Sequence, residues 1–130
     1  MIKNKKLKIY LCDITYDTII YVSDTIPINI GYVGSYIKKN FGDKVDIELF
    51  KYPNDILKKL KEDPPDMIGL SNYSWNSNLS EFIASFAKKI NPKVITVQGG
   101  TNFPYDEYSQ KKFQQSLLTI QNRGDTTLET

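Results

Sequence analysis

Apolar, β-prone runs alternate with segments of helical period along most of this chain, and that alternation constrains the fold more than any single residue does. Leu7 to Cys12 is a short apolar run that reads as a first strand, followed by a polar, threonine-rich segment from Asp13 to about Asn29. Ile30, Val33, Ile37 and Phe41 then mark one face of a first helix, with Gly42 placed to end it. In Val45 to Phe50 the apolar residues alternate with Asp46 and Glu48, so this strand has one wet face and belongs at a sheet edge. Asn54, after Pro53, is placed to cap a second helix carrying Ile56, Leu57 and Leu60, and Pro64-Pro65 stops it.

Met67 to Leu70 and Val94 to Val97 are apolar without alternation, the pattern of strands buried on both faces. Between them, Leu79, Phe82, Ile83, Phe86, Ala87 and Ile90 recur at the spacing of one helical face, with Asn78 and Glu81 as a capping box and Asn91-Pro92 as the stop. Weaker signals place a helix at Tyr108 to Gln114 and a fifth strand at Leu117 to Gln121. Strands joined by helices of this length form βαβ units, hence a parallel sheet with right-handed crossovers. An edge second strand with central third and fourth strands gives the order 2-1-3-4-5. This is a three-layer, flavodoxin-like (Rossmann-type) α/β domain with a five-stranded parallel sheet. One domain over residues 1–130 is expected, with residues 1–6 frayed and 116–130 weakly structured.

What the chain lacks removes whole classes of chemistry. It contains no histidine, which excludes Ser-His-Asp and Cys-His nucleophile systems, the common zinc sites and histidine general-base catalysis. Its single cysteine, Cys12, cannot form an internal disulfide or hold an iron–sulfur cluster, and at a strand end it reads as a small buried hydrophobe. Neither G-x-x-x-x-G-K-[ST] nor a strand-following G-x-G-x-x-G is present. The net charge is only +2, and Lys3, Lys5, Lys6 and Lys8 read as solvating a terminus, so no nucleic acid partner is expected. With no apolar run long enough to span a bilayer and no secretory leader, the chain is expected to be cytoplasmic, with no membrane partner.

In open parallel sheets, ligands bind beyond the carboxyl ends of the strands, where the strand order switches. That rule selects the loop beginning at Asp13, with Thr15 and Tyr16, the loop Ser71 to Asn78 with Tyr73, Ser74 and Trp75, and the segment Gln98 to Asn102 with Gly99, Gly100 and Thr101. Small hydrogen-bonding side chains beside two aromatics describe a polar slot with a flat apolar wall, and Gly99-Gly100 permits backbone geometry or close approach that a β-carbon would block. Each feature has a plainer reading: a tight turn at the glycines, a core anchor at Trp75, helix capping by the serines and asparagines. A phosphoacceptor receiver would need an aspartate where Ser71-Asn72 stands, and a flavodoxin phosphate loop would need a glycine that Thr15 and Thr18 do not supply.

The segment Pro27 to Lys39 (PINIGYVGSYIKK), then Pro65 to Ser71, the Trp75-Asn76 loop, Ile90-Asn91-Pro92 through Gly99-Gly100, and finally Gly124-Asp125 together resemble, in order and spacing, the cobalamin-binding N-terminal domain of B12-dependent radical SAM proteins. The resemblance implies a cobalamin cofactor whose nucleotide tail lies in the sheet-edge slot, hydrogen-bonded by Ser71 and passing close to Gly99-Gly100. Tyr73, Trp75 and the Asp13 to Tyr16 loop would lie nearer the corrin. Asp13-Ile14-Thr15-Tyr16 stands where many B12 domains carry D-x-H-x-x-G, so the cobalt would have no histidine lower ligand. The family's barrel with its C-x-x-x-C-x-x-C motif is not in this sequence, which implies a fragment, a truncated gene or a stand-alone domain. A radical SAM catalytic domain, in cis or in trans, is the implied partner, and no catalytic residue is expected in this chain alone.

Two other readings stand beside it. A structural or protein-interaction domain that has lost the ligand would fill the slot with its own side chains, Trp75 first. A small carboxylate enzyme would need Asp13, Asp17 and Asp24 to converge.

Overall fold

The computed structural model describes residues 5–16, 26–102 and 106–112. The elements run β1 (Leu7–Cys12), α1 (Ile28–Phe41), a single 3₁₀ turn (Gly42–Lys44), β2 (Val45–Phe50), α2 (Pro53–Glu62), β3 (Met67–Ser71), α3 (Ser77–Ile90) and β4 (Ile95–Gly99). Among the described residues the sheet is four-stranded and parallel, in the order β2-β1-β3-β4. This is the expected order as far as β4; the expected fifth strand, Leu117 to Gln121, lies outside the described residues. Residues 107–112 are helical, overlapping the helix expected at Tyr108 to Gln114, whose last two residues lie outside the described ones.

The register sorts the side chains onto two faces. Tyr10, Cys12, Phe50, Ile68 and Leu70 point to one side, where Ile56 and Leu60 of α2 and Ile83, Ala84 and Ala87 of α3 close over them as the main core. Ile9, Leu11 and Val45 point to the other side, beneath Ile30 of α1. On that second side α1 covers β1 and β2, while Ile95 on β4 remains half exposed. β3 and β4 are therefore fully buried on one face only, unlike the two-sided burial that their unbroken apolar runs suggest.

Three local readings are corrected. The buried side of α1 is Ile30 and Gly34, whereas Val33 and Phe41 are half exposed. Gly34 brings the helix against the sheet: a β-carbon there would sit 3.4 Å from Leu49 and 3.5 Å from Leu11. α2 begins at Pro53 itself, because proline at the first helical position needs no N–H partner, and Asn54 is exposed rather than capping. α3 begins at Ser77 with Asn76 as its cap residue, so Asn78 and Glu81 lie inside the helix and form no capping box. Gly42 ends α1 as expected, with a positive φ of 53° and its N–H bonded to the Lys38 carbonyl.

Candidate functional site

The carboxyl ends of β1, β3 and β4 carry a network of neutral side chains and one carboxylate. Ser71 ends β3, and its hydroxyl donates to Asp13 Oδ1 (2.6 Å) while accepting from Asn76 Nδ2 (3.1 Å). Asn76 is fully buried, also donates to the Ile14 carbonyl (3.1 Å), and accepts the Tyr73 backbone N–H (2.8 Å). One carboxamide thus ties the loop after β1 to the loop after β3. Ser80, one turn into α3, donates to the Ser71 carbonyl (2.7 Å) and fixes the strand end against the helix.

The β3–β4 side is built on Asn72. Its N–H donates to the Gly99 carbonyl (2.7 Å), its Nδ2 to Gln98 Oε1 (2.6 Å), and its Oδ1 accepts from Asn102 Nδ2 (3.0 Å). Gly100, with φ 138°, makes this possible, because a β-carbon there would meet the Asn72 carbonyl oxygen at 2.5 Å. The two glycines therefore have different roles: Gly100 lets the Asn72 backbone approach, whereas no described residue lies within 4 Å of the β-carbon position of Gly99. Gln98 Nε2 and Thr96 Oγ1 are buried with no hydrogen-bond partner among the described residues.

Above this floor Trp75 is exposed and Tyr73 half-buried. Tyr73 and Trp75 stack with ring centroids 4.6 Å apart and planes within 10°, and the Tyr73 hydroxyl accepts from Asn29 Nδ2 at the start of α1 (3.2 Å). Trp75 is 63% exposed, with Tyr16 and Ile26 also exposed. A cavity of about 140 Å³ opens beside them, lined by Asp13, Ile14, Thr15, Ile26, Pro27, Lys51 and Trp75. A larger open groove of about 610 Å³ lies on the outer flank of α1 against the β2 edge, where Gly31, Gly34, Lys38 and Leu49 line it.

Of the residues selected from the sequence, Asp13, Thr15 and Trp75 share the cavity, with Ser71 bonded to Asp13 and Tyr73 stacked on Trp75. Gln98 joins through Asn72, while Ser74 and Thr101 are exposed. Ser71 has its proton on Asp13 and a lone pair on Asn76, so it holds the site together before it meets any ligand. Asp17 and Asp24, the other carboxylates of the enzyme reading, lie outside the described residues. Cys12 is fully buried, and burial pushes its thiol well above the usual range, consistent with a packing role.

Asn72, Asn76 and Asn102, which organise the floor, fall inside the loops selected from the sequence but are not named there as site residues, and Lys51 and Ile26 of the cavity wall lie outside those loops. The available signal is the run of carboxamides across the two switch-point loops, because each can donate and accept at once. Among the described residues, no helix is long and apolar enough to cross a membrane. No curated protein matches the chain. A family model described as "B12 binding domain" matches residues 18–129.

Proposed function

The chain belongs to the B12 binding domain family, and from that premise we propose that it is a cobalamin-binding module serving a radical SAM catalytic domain supplied in cis or in trans. The observation that carries this reading is the Tyr73–Trp75 stack, with Trp75 exposed, at the carboxyl ends of the strands beside a carboxamide-rich polar floor. Cobalamin presents a broad, flat macrocycle edged with amides and a nucleotide tail. Stacked aromatics suit the first part, and a carboxamide-rich floor suits the second. Gln98 Nε2, without a partner among the described residues, adds a buried donor near that floor.

When bound, cobalamin would supply cobalt-centred group-transfer or radical chemistry. The residues of this chain would bind and orient it: Tyr73 and Trp75 against the corrin, Gln98, Gly99 and Thr101 toward the tail, and Asp13, Thr15 and Tyr16 along the β1 side. With no histidine in this sequence, a bound cobalt would receive no imidazole from it. Cys12 is sealed in the core and offers no thiolate in its place. The competing reading, a domain that has lost its ligand, expects Trp75 packed into the sheet edge with no hollow; Trp75 is instead exposed and borders one.

Titration of the purified chain with hydroxocobalamin, followed by the visible spectrum and by gel-filtration co-elution, tests the proposal. Saturable binding with Kd at or below roughly 10 μM is expected, and no binding at several times that concentration overturns it.

A further inference from the structure

Of α1, α2 and α3, only α1 carries no acidic residue, and its only basic ones, Lys38 and Lys39, fall in the last turn. A surface helix normally turns charge to solvent, as α2 does with Lys58 and Glu62. α1 instead turns out Tyr32 and Tyr36, four residues apart on one side of the helix and 73% and 70% exposed. The pair leaves aromatic surface on the order of 300 Å² in water, as much as the largest apolar patch of many monomers. Beside them runs the groove of about 610 Å³ between α1 and the β2 edge. Its helix wall is made of small residues, Gly31, Gly34 and Ser35, which let a neighbouring helix come close, and its strand wall includes half-exposed Leu49. Protruding side chains and an adjoining hollow on one patch are what a two-fold contact requires, since each copy then supplies both knob and hole. The charges agree with this. Lys39 and Asp46 line the same groove, and neither has an ion-pair partner among the described residues. Two-fold pairing through the β2 edge itself is disfavoured: a register centred on Ile47 sets Asp46 opposite Glu48, and one centred on Glu48 sets that residue opposite itself.

We propose that this flank is a homodimer interface, in which α1 packs on α1 of a second copy, Tyr32 and Tyr36 of each seat in the groove of the other, and Lys39 of each faces Asp46 of the other. Four tyrosines and two sets of groove walls bury about 1,000 Å² in all, the low end of specific interfaces, so the dimer is reversible and of micromolar strength. The groove shares no lining residue with the cavity beside Trp75, so the dimer stands or falls independently of the cobalamin reading.

Sedimentation equilibrium of the purified chain, from roughly 5 to 300 μM, tests the proposal; a monomer–dimer equilibrium with Kd of about 10–100 μM is expected. Tyr36→Ser should weaken it at least about ten-fold while the melting temperature stays that of the parent, because the side chain is exposed. Lys39→Glu and Asp46→Lys should each weaken it about five-fold alone, since each sets like charges face to face. An equal mixture of those two variants should return to within about threefold of the parent, because the mixed dimer again carries two opposite-charge pairs. A parent chain that stays monomeric throughout overturns the interface. So does a dimer that Tyr36→Ser leaves intact, and so does a mixture that associates no better than its components.

Discussion

The two ends of the sheet use polar residues in opposite ways. At the amino end, charges are matched to charges. Lys8 is paired with Asp63, Lys5 with Asp66 (3.3 Å) and Lys59 with Glu48 (3.1 Å), while Asp66 also accepts the Lys8 backbone N–H (2.9 Å). The Tyr10 hydroxyl reaches down to the Asp63 carbonyl (2.5 Å), and burial, reinforced by the nearby Asp63, Glu48 and Asp46 carboxylates, pushes its pKa up. At the carboxyl end, carboxamides and hydroxyls form the network around one carboxylate, and large aromatic surface stands in solvent. Exposed ion pairs add little stability, so the amino end closes off polar groups without needing much from them. The carboxyl end keeps donors, acceptors and aromatic area that folding does not require, and such surplus is what a binding site consists of.

Substitutions can break or sharpen this contrast. The largest effect belongs to neither end: Ile68→Ala, in the fully buried core between them, should cost about 3–4 kcal/mol in urea denaturation. Asn76→Ala comes next, because it orphans the Ile14 carbonyl and the Tyr73 N–H together; a loss of about 2 kcal/mol is expected, along with weakened cobalamin binding. Trp75→Ala should separate the two properties most cleanly. Stability should stay within about 0.5 kcal/mol, since the side chain is largely exposed, while cobalamin affinity falls about ten-fold. Matching losses in both would show that Trp75 is structural and would erase the contrast.

The smallest effect is at the amino end. The Lys8 backbone N–H, and then Lys5, hold the Asp66 carboxyl below its ordinary range. A carboxylate lowered on folding stabilises the native state above its unfolded pKa of about 4, and that contribution disappears as pH falls through the folded value. Asp66→Asn should therefore cost less than about 1 kcal/mol near neutrality. The variant should then lose less of its remaining stability between about pH 5 and pH 2 than the parent does. Thermal melts across that range check it, with cobalamin affinity unchanged.

Much of the fold was legible because its signals are local. The alternation in Val45 to Phe50 marks an edge strand, and the period from Leu79 to Ile90 marks α3, whatever surrounds them. The face of α1 was legible only in part: Ile30 and Ile37 pack inward as read, but Val33 and Phe41 do not, because the other packing residue is Gly34. A glycine adds nothing to a hydrophobic pattern, and its value there lies in letting Leu49 and Leu11 come close. The start of α3 was hidden for a related reason: Asn76 is held by Ile14, sixty-two residues away, and no window of sequence contains both. The site divides in the same way. Asp13, Ser71 and Trp75 follow from the switch-point rule. Asn72 and the unequal roles of Gly99 and Gly100 depend on backbone contacts between β3 and β4 that appear only once the strands are paired.

Cys12, at the carboxyl end of β1 and sealed from solvent in the core, gives the chain an internal clock. A thiol so placed can be alkylated only in molecules whose core has opened, so its labelling rate follows the free energy of that opening. A maleimide reporter attached through a cysteine introduced at exposed Thr101 would react at once, while Cys12 stayed silent and kept time.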